Sequence, residues 1–315
     1  MRVFVAGGTG VVGRRLVPEL VARGHEVVAT TRTPDRTGLL RSLGAEPVVL
    51  DGLDADAVGN AVAAAEPEVV VHQMTALAGA LRDLRRFDAA FAPTNALRTR
   101  GADNLLSAAV ASGARRFVAQ SFTGWTNAPG PGLATEDDPL HPAPPAGQRE
   151  TLAAIAYLER AVLAAPLEGV VLRYGMFYGP GASDDVVSEV RRRRFPLVGD
   201  AAGVWSFVHA DDAAAATVLA VERGAPGLYN VVDDEPAPVA EWLPYLAGVV
   251  GAKPPRRVPA ALARLAAGEA AVAMSTRSRG CSNAKARREL GWEPRWRTWR
   301  EGFRGGLTEP AAPAA

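Results

Sequence analysis

The chain has 315 residues, is 48% hydrophobic, and sets 35 basic against 34 acidic residues for a net charge of +1. That length supplies a sizeable core, and the even charge balance gives no clustered basic face of the kind nucleic acid requires. The single cysteine, Cys281, excludes an intramolecular disulfide, a zinc cluster and a CxxC motif, so no metal site is expected.

No apolar run reaches the roughly 18 residues of a membrane span. The first residues show no leader pattern, and a cytoplasmic location is expected. Residues 3–6 form a short apolar strand ending at Gly7. A helix over about 11–22 follows and stops at Arg23-Gly24. Residues 27–31 read as a second strand, 34–43 as a helix, 47–50 as a third strand and 56–65 as a helix. The unbroken run Val69-Val70-Val71 predicts a fourth strand, buried on both faces. Helix 95–112, strand 117–119, helix 149–164 and strand 170–174 continue the alternation. Strands separated by helices of this length pair in parallel through right-handed crossovers. The expected fold is therefore α/β, a Rossmann-type doubly wound parallel sheet with a smaller C-terminal lobe.

The proline-rich segment 124–147 follows the carboxyl end of the fifth strand, where such sheets place ligands, and is expected to act as an active-site lid. Beyond 178 the elements shorten to a strand at 206–208, a helix at 212–222, a strand at 228–232 and a helix at 239–250. This predicts a nucleotide-binding domain over 1–178, a lobe that is mostly substrate-binding over 179–307, and a flexible Pro/Ala-rich tail over 308–315.

Gly7-Gly8-Thr9-Gly10-Val11-Val12-Gly13 lies between the first strand and the first helix. One glycine turns the chain, one admits a pyrophosphate to the backbone, and one lets helix pack on strand. The helix amino end then offers N–H groups and partial positive charge to phosphate. Gly7, Thr9, Gly10, Val11, Val12 and Gly13 are thus expected around a dinucleotide. The end of the second strand reads Thr30-Thr31-Arg32-Thr33-Pro34-Asp35-Arg36. An acidic residue there favours NAD, and an arginine accommodates the 2′-phosphate of NADP. Arg32 is the phosphate partner, with Arg14 and Arg36 as helpers, so NADP is expected ahead of NAD.

These residues resemble the short-chain dehydrogenase/reductase superfamily, in its extended and atypical branches of the NAD-dependent epimerase/dehydratase type. The Gly-x-x-Gly-x-x-Gly spacing is shared, and Leu172–Gly181, Phe207–Asp212 and Glu289–Pro294 match later motifs in order. The resemblance implies further cofactor contacts at Asp51, Gly52, Met74, Thr75, Asn95, Gln120, Tyr174, Gly175 and Phe177. It also implies a small-molecule substrate, and dimerisation through helices 95–112 and 149–164. Trp125, Met176, Tyr178, Trp205 and His209 are expected on the substrate side.

The superfamily pairs a Ser or Thr after the fifth strand with a Tyr-x-x-x-Lys on the next helix. Ser121 matches the hydroxyl, with Thr123 as the alternative register. The pair is missing: the only lysines are Lys253 and Lys285, and the two positions hold Thr151 and Ile155 or, in another register, Ala146 and Glu150. Three readings follow. A different acid such as Glu150, Tyr178 or His209 gives the proton; the substrate, an imine or enone for example, needs little acid help; or the chain binds NADP as a non-catalytic sensor or scaffold. The first two describe an NADP-dependent oxidoreductase acting on a small organic substrate. A sugar-nucleotide epimerase or dehydratase is the alternative enzyme.

Overall fold

Short β-branched runs alternate with amphipathic helices through the first half of the chain, and they assemble as one sheet. A computed structural model describes residues 1–77, 79 and 83–308; the expected tail beyond Thr308 lies outside them. The elements are β1 (Arg2–Ala6), α1 (Gly13–Ala22), β2 (Glu26–Thr31), α2 (Thr37–Ser42), β3 (Glu46–Val49), α3 (Ala55–Ala65) and β4 (Val69–His72). They continue with α4 (Phe87–Ala96), α5 (Ala102–Ala111), β5 (Arg116–Phe122), α6 (Arg149–Ala164) and β6 (Glu168–Tyr174). The helix expected at 95–112 starts eight residues early, at Phe87, and a π-helical segment, Leu97–Gly101, joins α4 to α5. Such a bulge commonly marks a functional site.

The smaller elements are β7 (Met176–Tyr178), α7 (Asp184–Arg191), β8 (Leu197–Val198), β9 (Val204–Trp205) and β10 (Phe207–His209). After them come α8 (Ala210–Glu222), β11 (Gly227–Val231), β12 (Ala237–Pro238), α9 (Val239–Val249), β13 (Arg257–Val258), α10 (Ala260–Thr276) and α11 (Trp299–Gly305). Of these, α10 is absent from the sequence expectations. Its two helical pieces meet at Gly268, whose φ of 85° breaks the period.

The sheet runs β11-β6-β5-β4-β1-β2-β3, parallel throughout. Strand order reverses between β1 and β4, and ligands bind at the carboxyl ends beside that switch point. On one face Leu16 and Leu20 of α1 pack with Ala213, Val218 and Val221 of α8. On the other, Val58 of α3, Leu105 of α5 and Leu158 of α6 cover Phe4, Val70 and Phe117. The expected boundary at 178 therefore needs correcting. Residues 210–231 return to the nucleotide domain, because β11 pairs with β6 as its seventh strand. The second lobe keeps an aromatic core around Trp205, Phe207, Trp242 and Trp299.

Candidate active site

Gly7 closes the turn after β1. Its φ is 97°, and a Cβ there would meet the Gln73 carbonyl oxygen at 2.7 Å. Gly13 has the packing role: a Cβ would stand 2.3 Å from the Gly7 oxygen. The end of β2 holds this loop, because Gly7 N donates to Thr30 Oγ1 at 3.0 Å and Gly8 N to the Thr30 oxygen at 3.0 Å. No side chain caps α1 at Val12, which leaves its amino end open to an anion.

That end faces a cleft of about 700 Å³. Gly7, Thr9, Gly10, Val11, Val12, Arg32, Arg36, Met74, Thr75, Gln120 and Phe177 line it, as expected from the sequence. Arg32 and Arg36 line it with Thr31 and Thr33 at the end of β2, while Arg14 of α1, whose guanidinium lies against Gly181, lines it with Asp184 and Asp185 of α7. Volume, glycine cradle and open helix end together fit a dinucleotide. A buried acceptor adds to the fit. Gln73, which lines the cleft, donates through Nε2 to Tyr174 OH at 3.1 Å, while its Oε1 has no partner. The sequence reading passed over Gln73, although the strand-end rule points to the residue after β4.

Several expected contacts stand elsewhere. Asp51 is exposed and accepts from Leu53 N at 3.0 Å, outside the cleft lining, and Gly52 is buried against Met74. Asn95 donates to Thr151 Oγ1 at 3.1 Å. Tyr174 is fully buried on the α8 side, 2.6 Å from Thr217 Oγ1, and burial pushes its phenol up to about 12. Gly175 packs against the Ser206 carbonyl. His72 is buried, with Nε2 3.0 Å from the Leu97 oxygen and Nδ1 accepting from Met74 N; desolvation lowers its pKa and holds it neutral.

The expected catalytic residues also separate. Strand alternation turns Val118, Gln120 and Phe122 to one face of the sheet and Phe117, Ala119 and Ser121 to the other. Ser121 is 1% exposed, and its Oγ donates to Glu159 Oε1 at 2.7 Å. Arg173 completes the group, with Nε and Nη2 at 2.8 and 2.6 Å from the Glu159 carboxylate. Ser121 is thus enclosed in a buried ion pair, while Gln120 lines the cleft and Phe122 the second cavity. Thr123 lines a second cavity but is 1% exposed, its Oγ1 3.2 Å from Asn127 Oδ1 and 3.3 Å from Cys281 Sγ. Burial raises the Cys281 thiol pKa. Glu150 is exposed on the first turn of α6 and lines neither cavity, and its backbone N donates to Asp88 Oδ2 at 3.1 Å.

The second cavity lies between the end of β5 and the start of β7, which pairs with β10. Phe122, Thr123, Gly124, Trp125, Met176, Trp205, Ser206, Met274 and Ser278 line about 10 Å³. That space holds about one water. Trp125, Met176 and Trp205 were expected here. Tyr178 and His209 take structural roles instead. Tyr178 is 1% exposed, edge-on to Phe207, His209 and Phe303. His209 caps α8 by accepting from Asp211 N at 3.1 Å, with Nε2 at 3.0 Å from the Gly306 oxygen. The expected lid is largely strapped down. Arg279 donates to the carbonyls of Ala128, Pro131, Gly132 and Leu133 and pairs with Asp138 at 2.9 Å, and Gly124 and Trp125 of the segment line the second cavity.

Comparison with known proteins places the chain among nicotinamide-dependent enzymes. A 3-diazoavenalumate denitrifying reductase of Streptomyces sp is 48% identical over 96% of this chain and 99% of its own. A 2-alkyl-3-oxoalkanoate reductase of Stenotrophomonas maltophilia (strain K279a) is 32% identical over 80% of this chain and 76% of its own. The UDP-glucose 4-epimerase of Thermus thermophilus, solved with NAD, superposes with a TM-score of 0.75 at 25% identity over 98% of both chains. The profile of the NAD dependent epimerase/dehydratase family matches residues 3–231. The chain is an oxidoreductase with a nicotinamide-cofactor site, and it belongs to that family.

Proposed function

We propose that this oxidoreductase is an NADP-dependent reductase of a diazo-bearing aromatic compound, working without a protein acid. The observation that carries the reading is the wall of the second cavity. Among its described lining residues none is ionisable: two serines and a threonine are the only polar side chains. Reduction of a ketone leaves an alkoxide that must take a proton, and a positioned acid contributes about 10²–10⁴-fold to such a step. Removing a substrate proton, as an epimerase does, needs a base in the same place.

The lining of the cleft supports the cofactor assignment. Arg32 and Arg36 bind the 2′-phosphate, the backbone of Gly7–Gly13 and the start of α1 bind the pyrophosphate, and Gln73 Oε1 accepts from the ligand. Bound there, a reduced nicotinamide supplies a hydride, which at a ring carbon bearing a diazonium group replaces dinitrogen with charge balanced and no proton consumed. Trp125, Trp205 and Phe122 offer flat faces to an aromatic ring, Met176 and Met274 fill the gaps between, and together they exclude water. The name of the reductase at 48% identity joins a diazo group, loss of nitrogen and reduction, which supports this substrate class.

The test is NADPH consumption against arenediazonium salts, 3-oxoalkanoates, aldehydes, imines and enones. The diazonium is expected to lead the carbonyl compounds in kcat/KM by about 100-fold or more, the factor a missing acid removes. A 3-oxoalkanoate or an aldehyde turned over as fast as the diazonium contradicts the proposal.

A further inference from the structure

Behind the cleft wall, between α4–α5 and α6, lies a set of buried charges that the reduction does not use. Arg98, Glu159 and Arg173 are 6%, 4% and 4% exposed. Arg173 holds both oxygens of Glu159, and Ser121 takes a further lone pair. Arg98 shares the electrostatic influence of the same carboxylate. Its hydrogen bond among the described residues is a long one, from Nη1 to Asn95 Oδ1 at 3.5 Å. A guanidinium carries five donors. Two cations face one carboxylate here, so the interior holds an uncompensated positive charge, a costly arrangement unless a ligand answers it. Burial lowers the Arg98 pKa to about 10 while Glu159 pulls it back up, and the group stays charged at neutral pH.

The position of that charge is specific. Leu97, the preceding residue, lines the cofactor cleft. On α6, Thr151, Ile155 and Glu159 recur every four residues and share one helix face. Asn95, the acceptor for Arg98, donates to Thr151, while Glu159 is the electrostatic partner of Arg98. Arg98 therefore stands opposite the middle of that face, at the turn that carries Ile155. Ile155 is fully buried and apolar, and it answers no charge.

We infer that Arg98 is a cofactor-binding residue, donating to the ribose hydroxyls of the nicotinamide half and supplying from the α4–α5 helix the cation that α6 lacks. The inference rests on a nicotinamide cofactor in the cleft and is independent of the phosphate preference. The test is the affinity for NADPH and for NADH, each titrated by nucleotide fluorescence without substrate, in Arg98→Gln and Arg98→Lys. Arg98→Gln is expected to weaken both nucleotides by the same factor, about tenfold, as for one lost charge-assisted hydrogen bond. Arg98→Lys, which keeps the charge and loses the planar fork, weakens both by about threefold with an unchanged melting temperature. Parent affinity for both nucleotides in Arg98→Gln, or an equal loss in Gln and Lys variants, overturns the inference. Should Arg98→Gln fail to fold, Arg98→Lys decides, and parent affinity there overturns it. Loss of the parent's preference for NADPH over NADH also overturns it, because a ribose contact shared by both nucleotides leaves their ratio unchanged.

Discussion

Replacing Ser121 by alanine separates a structural hydroxyl from a catalytic one. The Ser121 hydroxyl is 2.7 Å from a carboxylate, inside a group whose members are 6% exposed or less. A hydrogen bond to a charged partner is worth about 1.5–3 kcal/mol. Glu159 keeps both bonds from Arg173, so the pair survives and the loss stays near that range, at about 2 kcal/mol. With a urea m-value of about 3 kcal/mol/M for a chain of this size, the unfolding midpoint falls by roughly 0.7 M. Unfolding followed by tryptophan fluorescence reads this, and NADPH consumption at saturating substrate reads the chemistry. Turnover is expected to stay within about twofold, because removing a general acid or its partner costs about 10² or more. An unchanged midpoint with a 100-fold loss of turnover would refute the reasoning and return Ser121 to the reacting centre.

Two further perturbations address the cleft and the second lobe. Arg32→Ala removes one of the two guanidiniums that line the cleft from the end of β2 and is expected to weaken NADPH about 10- to 100-fold while leaving NADH unchanged; equal loss for both nucleotides would count against the 2′-phosphate assignment. Asp233 is 2% exposed, its Oδ2 has no partner, and burial raises its carboxyl pKa well above the usual range. A raised folded pKa gives stability that is full below the unfolded value of about 3.9 and is lost as pH rises through the folded value. Asp233→Asn should therefore stabilise the protein at pH 8 and lose that advantage toward pH 4, in melting temperatures taken across the range; a pH-independent difference would contradict the buried neutral acid.

Much of the cofactor site was legible because its signals are local. The glycine loop needs only β1, seven residues and α1, and the arginines at the end of β2 follow within the same βαβ unit. What escaped depends on pairing across long stretches of chain. The strand at 227–231 looks like any short strand until it pairs with β6, more than fifty residues earlier, and joins the nucleotide domain. Met274 reaches the second cavity from a helix whose period Gly268 interrupts. Ser121 was misread for a different reason. The motif placed a hydroxyl near the right position, but period-two alternation on β5 sends residue 121 to α6, while residue 120 lines the cleft and residue 122 the second cavity. Arg98 had no motif at all, and only its burial beside Glu159 draws attention to it.

The proposed acid-free reduction is tested most directly by following the hydrogen. An arenediazonium substrate is reduced with NADPH deuterated at its transferable position in ordinary water, and with ordinary NADPH in deuterium oxide. Deuterium is expected at the former nitrogen-bearing carbon in the first experiment and none there in the second, with a turnover rate that is the same in both solvents. Deuterium delivered from solvent to that carbon, or a rate that falls several-fold in deuterium oxide, would contradict acid-free reduction.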